Sequence, residues 1–211
     1  MFITFEGIDG SGKTTQLNLL KNHITFLTKA EVHVTSALGN GSGICNDIKN
    51  ILFNNLYKKD INIESEILLI MASIQQISTE IIKLDKEQWN IVLCDRYIDS
   101  LIAYHAFGHN VKLDKIENIL NNLNSLLYPD ITFYLEIPLE IGLHRENNNS
   151  RMRISYYEYE FYKSVKKGYD YLFDKSDKII KINANQSIQK VHHDIIKKLY
   201  SMKVFDYNNL N

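Results

Sequence analysis

A glycine-rich segment near the start of the chain has the residue types and spacing that bind phosphate. Residues 7–14 read GIDGSGKT and match the pattern G-x-x-x-x-G-K-[ST]. Glycines let backbone N–H groups turn toward phosphate oxygens, and the positive end of the following helix points at the same anion. In such a loop Lys13 can bridge the β- and γ-phosphates of a nucleotide, and the Thr14 hydroxyl can bind Mg²⁺. The segment predicts these nucleotide-binding residues: Gly7, Ile8, Asp9, Gly10, Ser11, Gly12, Lys13, Thr14 and Thr15.

A second candidate site is an acid followed by a base at the end of a buried strand. Residues 91–94 form a continuous apolar run, and Asp95 and Arg96 follow it directly. In a parallel sheet the carboxyl ends of the strands meet at one edge, so this pair should lie beside the phosphate-binding loop. There Asp95, together with Thr14, could bind Mg²⁺, and Arg96 could hold a phosphate through its guanidinium fork. The alternative is a structural ion pair, and the neighbouring loop favours the functional interpretation.

Strands and amphipathic helices alternate along the chain, and this pattern predicts how the candidate residues are positioned. Residues 2–5, 32–35, 91–94, 131–136 and 179–182 are the predicted strands. The predicted helices cover residues 13–28, 44–53, 61–84, 100–107, 113–127, 138–146, 156–173 and, capped by Ser187, 188–202. We therefore expect an α/β fold, a parallel five-stranded sheet with helices on both faces, in a single domain over residues 1–211.

Composition and charge exclude several classes of protein. The 211 residues carry 24 basic and 25 acidic side chains, so a strongly basic surface that coats nucleic acid is not indicated. Cys45 and Cys94 are too few for a disulfide framework and are expected to be free thiols. The chain starts without a basic leader, and its longest apolar run, residues 67–72, is far shorter than the ~20 residues that span a bilayer. A cytoplasmic protein without nucleic-acid or membrane partners is expected.

The phosphate-binding loop predicts a nucleotide ligand but does not by itself define a reaction. No Asn-Lys-x-Asp motif that would read guanine is present in the sequence, which argues against a GTPase. Motor and transporter modules usually need a longer chain. A small kinase that phosphorylates a small molecule fits the length and the motifs.

Four blocks of the sequence resemble the thymidylate kinase family in order and spacing. They read FEGIDGSGKTTQ, CDRYIDSLIAYH, YPDITFYLEIPLEIGLHR and FYKSVKKGY, and together they cover nearly the whole chain. The resemblance implies a P-loop nucleotide kinase that converts dTMP to dTDP with ATP and Mg²⁺, as a cytoplasmic homodimer. It also implies that Asp9 meets the sugar 3′-hydroxyl, that Arg96 holds the acceptor phosphate and that Tyr104 crowds the 2′ position. Ser100 lies in the same block and is predicted to line the acceptor site.

A polar, Asn-rich break between two predicted helices resembles the lid of this family. It covers about residues 147–155 and contains Arg151 and Arg153. An arginine that stabilises the transferring phosphoryl group is worth ~10³–10⁵ in rate, and a closing lid also excludes water. Counting back from Phe161, Arg153 aligns best with the family's lid arginine, and Arg151 is the reserve choice. A solvated basic turn is the alternative.

The acceptor half of the chain departs from the family pattern. Ser36, Ile70 and Ile74 stand where the family has an arginine, a base-stacking phenylalanine and a base-reading arginine, so the two isoleucines are the predicted base contacts. The alternative is that the two isoleucines are ordinary core residues and that this alignment is out of register by one helical turn. His105 replaces a glutamine and is expected to be a semi-exposed helical histidine without a special role, or else a replacement base reader. Two alternatives to a thymidylate kinase follow. One is a kinase of another deoxynucleoside monophosphate with relaxed base selectivity, and the other is a non-catalytic nucleotide-binding protein.

Overall fold

A five-stranded parallel sheet forms the centre of the molecule, as the sequence predicts. The computed structural model describes residues 1–28, 30–39, 43–54, 60–84, 90–147 and 155–204. The strands lie in the order β2-β3-β1-β4-β5, and every neighbouring pair is parallel. Their bounds are β1 (Phe2–Glu6), β2 (Val32–Ser36), β3 (Ile91–Asp95), β4 (Ile131–Glu136) and β5 (Ile179–Asn183).

Helices connect the strands. They are α1 (Lys13–Leu27), α2 (Gly43–Phe53), α3 (Ile63–Leu84), α4 (Ile98–Leu101), a π-helix (Ile102–Gly108), α5 (Leu113–Asn121), α6 (Leu139–Asn147), α7 (Tyr156–Lys175) and α8 (Ile188–Ser201). The predicted cap of the last helix is present, because the Ser187 side chain accepts a hydrogen bond from the backbone N–H of Lys190.

Two predicted helices differ from the structure. The helix predicted over residues 113–127 ends at Asn121, because the N–H groups of Asn122 and Leu123 turn back to the carbonyls of Ile119 and Leu120. The helix predicted over residues 100–107 starts earlier, as α4, and continues into the π-helix. The N–H of His109 there donates to the carbonyl of residue 104, five positions back, at 2.9 Å.

The three central strands, β3, β1 and β4, are buried on both faces of the sheet, which explains the continuous apolar run in β3. Successive side chains point to opposite faces, so Ile3 and Phe5 belong to one hydrophobic cluster, whereas Phe2 belongs to the other. The first cluster packs against α1, α7 and α8, and the second against α3 and α5. Cys45 and Cys94 lie in the second cluster and are free thiols, as predicted.

Helix α3 is the one helix among the described residues with the length and mean hydropathy, 1.4, to cross a membrane. Its apolar character has another explanation, because Ile67, Ile70, Ile74 and Ile77 are all buried in the second cluster. The core helix of a globular domain meets the same criteria, so this feature is weak evidence for a membrane span.

The strand register places the candidate site at the carboxyl edge of the sheet. Phe5 of β1 is paired with Asp95 of β3, and Glu6 is paired with Tyr134 of β4. The loop that leaves β1 therefore begins beside the residues that end β3. This is the crevice in which open α/β sheets bind ligands.

Candidate active site

The phosphate-binding loop joins β1 to α1 and needs glycine for its shape. Gly10 and Gly12 have φ angles of +73° and +91°, in the left-handed region that other residues rarely adopt. A Cβ on Gly10 would also lie 2.1 Å from the carbonyl oxygen of Gly142 in α6, whereas a Cβ on Gly12 would meet nothing within 4 Å. Gly10 is therefore needed both for its left-handed φ and for the close packing against α6. Gly12 is needed only for its left-handed φ.

Lys13 lies at the start of α1 and is folded back over the loop. Its side chain is buried, and Nζ donates hydrogen bonds to the carbonyl oxygens of Gly7 and Ile8, at 3.1 and 3.0 Å. Burial, reinforced by the nearby positive charge of Arg96, lowers the pKa of Lys13 to about 8, and Asp9 opposes this only in part. The ammonium is therefore held inside the protein by the carbonyls of the loop.

Thr14 and Asp95 are brought together, as predicted for a metal site. The Thr14 hydroxyl donates a hydrogen bond to Oδ2 of Asp95 at 2.5 Å. Thr14 is exposed, so this pair of oxygens faces the open side of the loop. A hydroxyl beside a carboxylate is a donor set that suits Mg²⁺, which is typically bound by one or two carboxylates together with substrate phosphates and water.

Arg96 follows β3 and turns its guanidinium across the end of β1. Its φ angle of +65° is uncommon for a residue other than glycine. The backbone is held by hydrogen bonds from the Arg96 N–H to the carbonyl of Phe5 and from the Ala37 N–H to the carbonyl of Arg96. The side chain reaches the loop, where Nη1 donates to the carbonyl of Gly7 at 3.0 Å and Nη2 donates to Oδ1 of Asp9 at 2.5 Å.

Asp9 is the point where the loop, the π-helix and α7 meet. Its Oδ2 accepts hydrogen bonds from the hydroxyls of Tyr104 and Tyr162, at 3.0 and 2.9 Å, while Oδ1 contacts Arg96. Burial alone would raise the pKa of Asp9, but the positive charges of Arg96 and Lys13 and the two hydroxyls outweigh it and lower the pKa to about 2. Asp9 is therefore ionised at neutral pH and accepts hydrogen bonds.

Comparisons with known proteins agree with this geometry. The family model described as thymidylate kinase matches residues 5–195. The chain belongs to the thymidylate kinase family. It is 35% identical over 202 residues to a thymidylate kinase from Wolbachia pipientis wMel, covering 94% of this chain and 100% of that protein. It is 36% identical over 206 residues to one from Acholeplasma laidlawii, covering 94% and 98% of the two chains. A crystal structure of thymidylate kinase from Ehrlichia chaffeensis superposes with a TM-score of 0.76 at 32% identity, covering 95% of this chain and 98% of that one.

Three residues of this thymidylate kinase site were missed by the sequence analysis. Glu6, Tyr162 and Tyr169 all contact predicted site residues. A signal for each was available. Glu6 is the one charged residue of β1, and the two tyrosines are seven positions apart, on one face of a predicted helix. Ser100, which was predicted, is buried and donates to Oε2 of Glu6 at 2.5 Å.

Of the positions that depart from the thymidylate kinase pattern, Ser36 is half-buried and the two isoleucines are buried. Ser36 ends β2, and its hydroxyl exchanges local hydrogen bonds with the backbone of Leu38. Ile70 is 7% exposed and Ile74 is 0% exposed, and both lie in the second hydrophobic cluster. The predicted role of Ile74 as a direct base contact is therefore not supported, because α3 turns this side chain into the core.

His105 is buried rather than semi-exposed as predicted. The residue is 4% exposed, with Nε2 3.3 Å from Oε1 of Glu66 in α3 and Nδ1 3.1 Å from the carbonyl oxygen of Leu101. The histidine connects the π-helix to α3.

The predicted lid arginines, Arg151 and Arg153, lie outside the described residues. The helix that follows them, α7, has a well-defined N-terminal cap. Ser155 caps α7, its hydroxyl accepting from the N–H of Glu158, and the Glu158 carboxylate accepts in return from the Ser155 N–H at 2.8 Å. The assignment of the lid to about residues 147–155 stays a prediction.

Proposed function

We propose that Arg96 and Asp9 hold dTMP while Lys13 holds the phosphates of ATP. As a member of the thymidylate kinase family, the chain is an ATP-dependent nucleoside monophosphate kinase that phosphorylates dTMP. The observation that carries the residue assignment is the 2.5 Å contact between Nη2 of Arg96 and Oδ1 of Asp9. This contact places a strand-end guanidinium and the acid of the phosphate-binding loop at one crevice, beside Lys13.

Positioning and charge do the catalytic work in this proposal, and no covalent intermediate is needed. The Lys13 ammonium bridges the β- and γ-phosphates, and the planar fork of Arg96 holds the acceptor phosphate in line with them. Asp9, which is ionised, accepts a hydrogen bond from the sugar 3′-hydroxyl. Tyr104 lies against both residues, with the Arg96 guanidinium 5.0 Å from its ring centre, and it restricts the sugar to deoxyribose.

Thr14 and Asp95 are the residues that would hold Mg²⁺, directly or through water. When bound, the ion would neutralise part of the charge on the β- and γ-phosphates. Arg153, with Arg151 as the reserve, is the proposed lid arginine that neutralises the transferring phosphoryl group.

We further propose a cytoplasmic homodimer of single-domain subunits. Helices α2 and α3 pack against each other, and both expose large apolar side chains. These are Ile44, Ile51 and Phe53 on α2, and Leu68 and Ile82 on α3. Exposed apolar groups on adjacent helices are typical of a protein–protein interface.

The alternatives of relaxed base selectivity and of a non-catalytic protein receive no support from the comparisons.

An ADP-release assay with the Arg96→Lys variant tests the residue assignment. Lysine keeps the positive charge but lacks the bidentate fork. We expect kcat/KM for dTMP to fall by about 10²-fold or more, as for loss of one preorganised donor, while the KM for ATP changes by less than about threefold. Unchanged kcat/KM for dTMP would remove Arg96 from the acceptor site.

The same assay with wild-type protein and dCMP or dUMP tests base selectivity. Equal rates with dTMP, dCMP and dUMP would favour a kinase with relaxed base selectivity.

A further inference from the structure

We infer that Tyr169 and Glu6 form a buried positioning device that fixes the guanidinium of Arg96 in the orientation needed for the acceptor phosphate. The inference rests on the proposed role of Arg96. It concerns two residues that do not face the crevice, since Tyr169 is 2% exposed and Glu6 is 0% exposed. They are therefore positioning residues that act through Arg96.

The two ends of the Arg96 guanidinium have different environments. Nη2 points to Asp9, in the crevice. Nη1 points inward and donates to the carbonyl oxygen of Gly7, at 3.0 Å, and to the hydroxyl oxygens of Ser100 and Tyr169, each at 3.1 Å. The inner contacts set the plane of the guanidinium, and that plane sets where the outer nitrogen lies.

Glu6 determines which way the two hydroxyls point. Its Oε2 accepts from the Ser100 hydroxyl at 2.5 Å and from the Tyr169 hydroxyl at 3.1 Å, and its Oε1 accepts from the N–H of Tyr97 at 2.6 Å. A hydroxyl has one proton, so a hydroxyl that donates to Glu6 presents its lone pairs to Arg96. The two hydroxyl oxygens also lie 2.8 Å apart, so the Tyr169 proton points to Ser100 or to Glu6, and in both cases the tyrosine oxygen can accept from Nη1. Because an ionised carboxylate can only accept, Glu6 takes the Ser100 proton and leaves both hydroxyl oxygens able to accept from Nη1.

The charges of Glu6 and Arg96 act on each other. Burial raises the pKa of Glu6 overall, and the hydrogen bond from Ser100 and the positive charge of Arg96 offset part of that rise. Glu6 and Arg96 thus support each other: the guanidinium favours the ionised carboxylate, and the carboxylate orients the guanidinium's acceptors.

Tyr169 comes from a different part of the chain and cannot move easily. Its ring stacks on that of Tyr134, with 5.2 Å between ring centres and 20° between planes. The preceding Gly168 lets α7 approach the π-helix so closely that a Cβ there would lie 2.9 Å from Cα of Ala103. The Arg96 backbone, with its left-handed φ, is held by β1 through the carbonyl of Phe5, and the Arg96 side chain is held by α7 through the Tyr169 hydroxyl.

The experiment compares Tyr169→Phe with a matched control, Tyr134→Phe. Tyr134 is equally buried and stacks on Tyr169, but it makes no contact with Arg96 among the described residues. We expect Tyr169→Phe to lower kcat/KM for dTMP about 10- to 100-fold, as for the loss of a hydrogen bond to a charged group, chiefly through the KM for dTMP. The KM for ATP should stay within about twofold, and Tyr134→Phe should leave both substrates' constants unchanged.

A double-mutant cycle with Arg96→Ala separates this inference from the proposed function. If Tyr169 acts through Arg96, adding Tyr169→Phe to Arg96→Ala causes no further loss, whereas multiplicative losses would overturn the inference. Retention of wild-type kcat/KM for dTMP in Arg96→Ala would instead overturn the assigned role of Arg96. If thermal unfolding shows that Tyr169→Phe does not fold, Glu6→Gln carries the test, because its amide can donate to the hydroxyls and turn their lone pairs away. An unchanged KM for dTMP in a folded Glu6→Gln protein would also overturn the inference.

Discussion

At the scale of single residues, the charges of the site are solvated by the protein instead of by water. Lys13 shows this most clearly. Its ammonium is buried and satisfied by two carbonyl oxygens of the loop. A nucleotide phosphate in place of the two carbonyl oxygens would give the buried Lys13 ammonium a partner with a full negative charge. Buried charges gain more from a partner than exposed ones do, because the local dielectric is low.

We predict that Lys13→Ala abolishes most of the turnover with ATP and dTMP. The loss of one preorganised positive donor costs about 10²–10³ in kcat, and the P-loop lysine also contributes to binding. Lys21→Ala, on the exposed side of the same helix, is the control and should retain wild-type turnover. A Lys13→Ala protein that turns over at the control rate would contradict the P-loop mechanism.

The pH dependence provides a second readout for the same lysine. Its pKa of about 8 means that the ammonium is present below pH 8 and is lost as the pH rises through that value. We expect kcat/KM for ATP in the wild-type protein to decline above about pH 8, since this parameter reports the pKa values of the free enzyme. In Lys13→Ala the decline should disappear.

At the scale of the elements, the packing of α7 on the π-helix brings α7 to the proposed acceptor site. Helix α7 begins immediately after the lid segment and carries both Tyr162 and Tyr169. The close approach depends on Gly168, where an added Cβ would lie 2.9 Å from Cα of Ala103 and from Cδ2 of Phe107. A glycine inside a helix costs helix propensity, so its presence here is explained by this contact.

We predict that Gly168→Ala destabilises the protein although alanine is the better helix former. Overpacking typically costs about 1–3 kcal/mol, against a propensity gain of about 1 kcal/mol, so the free energy of unfolding in urea should fall. Gly43→Ala in α2 is the matched control, because a Cβ there meets nothing within 4 Å. It should be neutral or slightly stabilising. Equal stabilities for the two variants would show that α7 can move away from the π-helix at no cost.

At the scale of the whole molecule, the two adjacent helices α2 and α3 both expose large apolar side chains. Leu68 and Ile82 are 55% and 39% exposed and lie about four turns apart on one side of α3. The neighbouring α2 exposes Ile51 and Phe53, at 40% and 62%. A second copy of the chain is the partner proposed for this surface.

We predict that the double variant Leu68→Glu, Ile82→Glu is monomeric in size-exclusion chromatography with light scattering, whereas the wild-type protein is dimeric. Two carboxylates in an apolar interface would lose their hydration without gaining partners. Phe26→Glu on α1, where the phenylalanine is 88% exposed, is the control and should stay dimeric. A monomeric wild-type protein, or dissociation caused by Phe26→Glu alone, would contradict the proposed interface.

Much of this architecture was predictable from the sequence, because its signals are local. The phosphate-binding loop is encoded by glycines within eight consecutive residues, and the strands by short apolar runs between amphipathic helices. The meeting of Asp95 with Thr14 follows from the general rule that the carboxyl ends of parallel strands lie at one edge of the sheet.

The tertiary structure decided which side chains of the long helices α3 and α7 reach the site. Tyr169 lies 73 positions from Arg96 in sequence, and only the docking of α7 on the π-helix brings its hydroxyl within 3.1 Å of the guanidinium. Likewise, the spacing of Ile70 and Ile74 shows that they share a face of α3, but not that this face turns toward the core. Periodicity specifies the relative directions of side chains within one helix. The rotation of that helix against its neighbours is set by packing that involves the whole chain, and it determines what each side chain contacts.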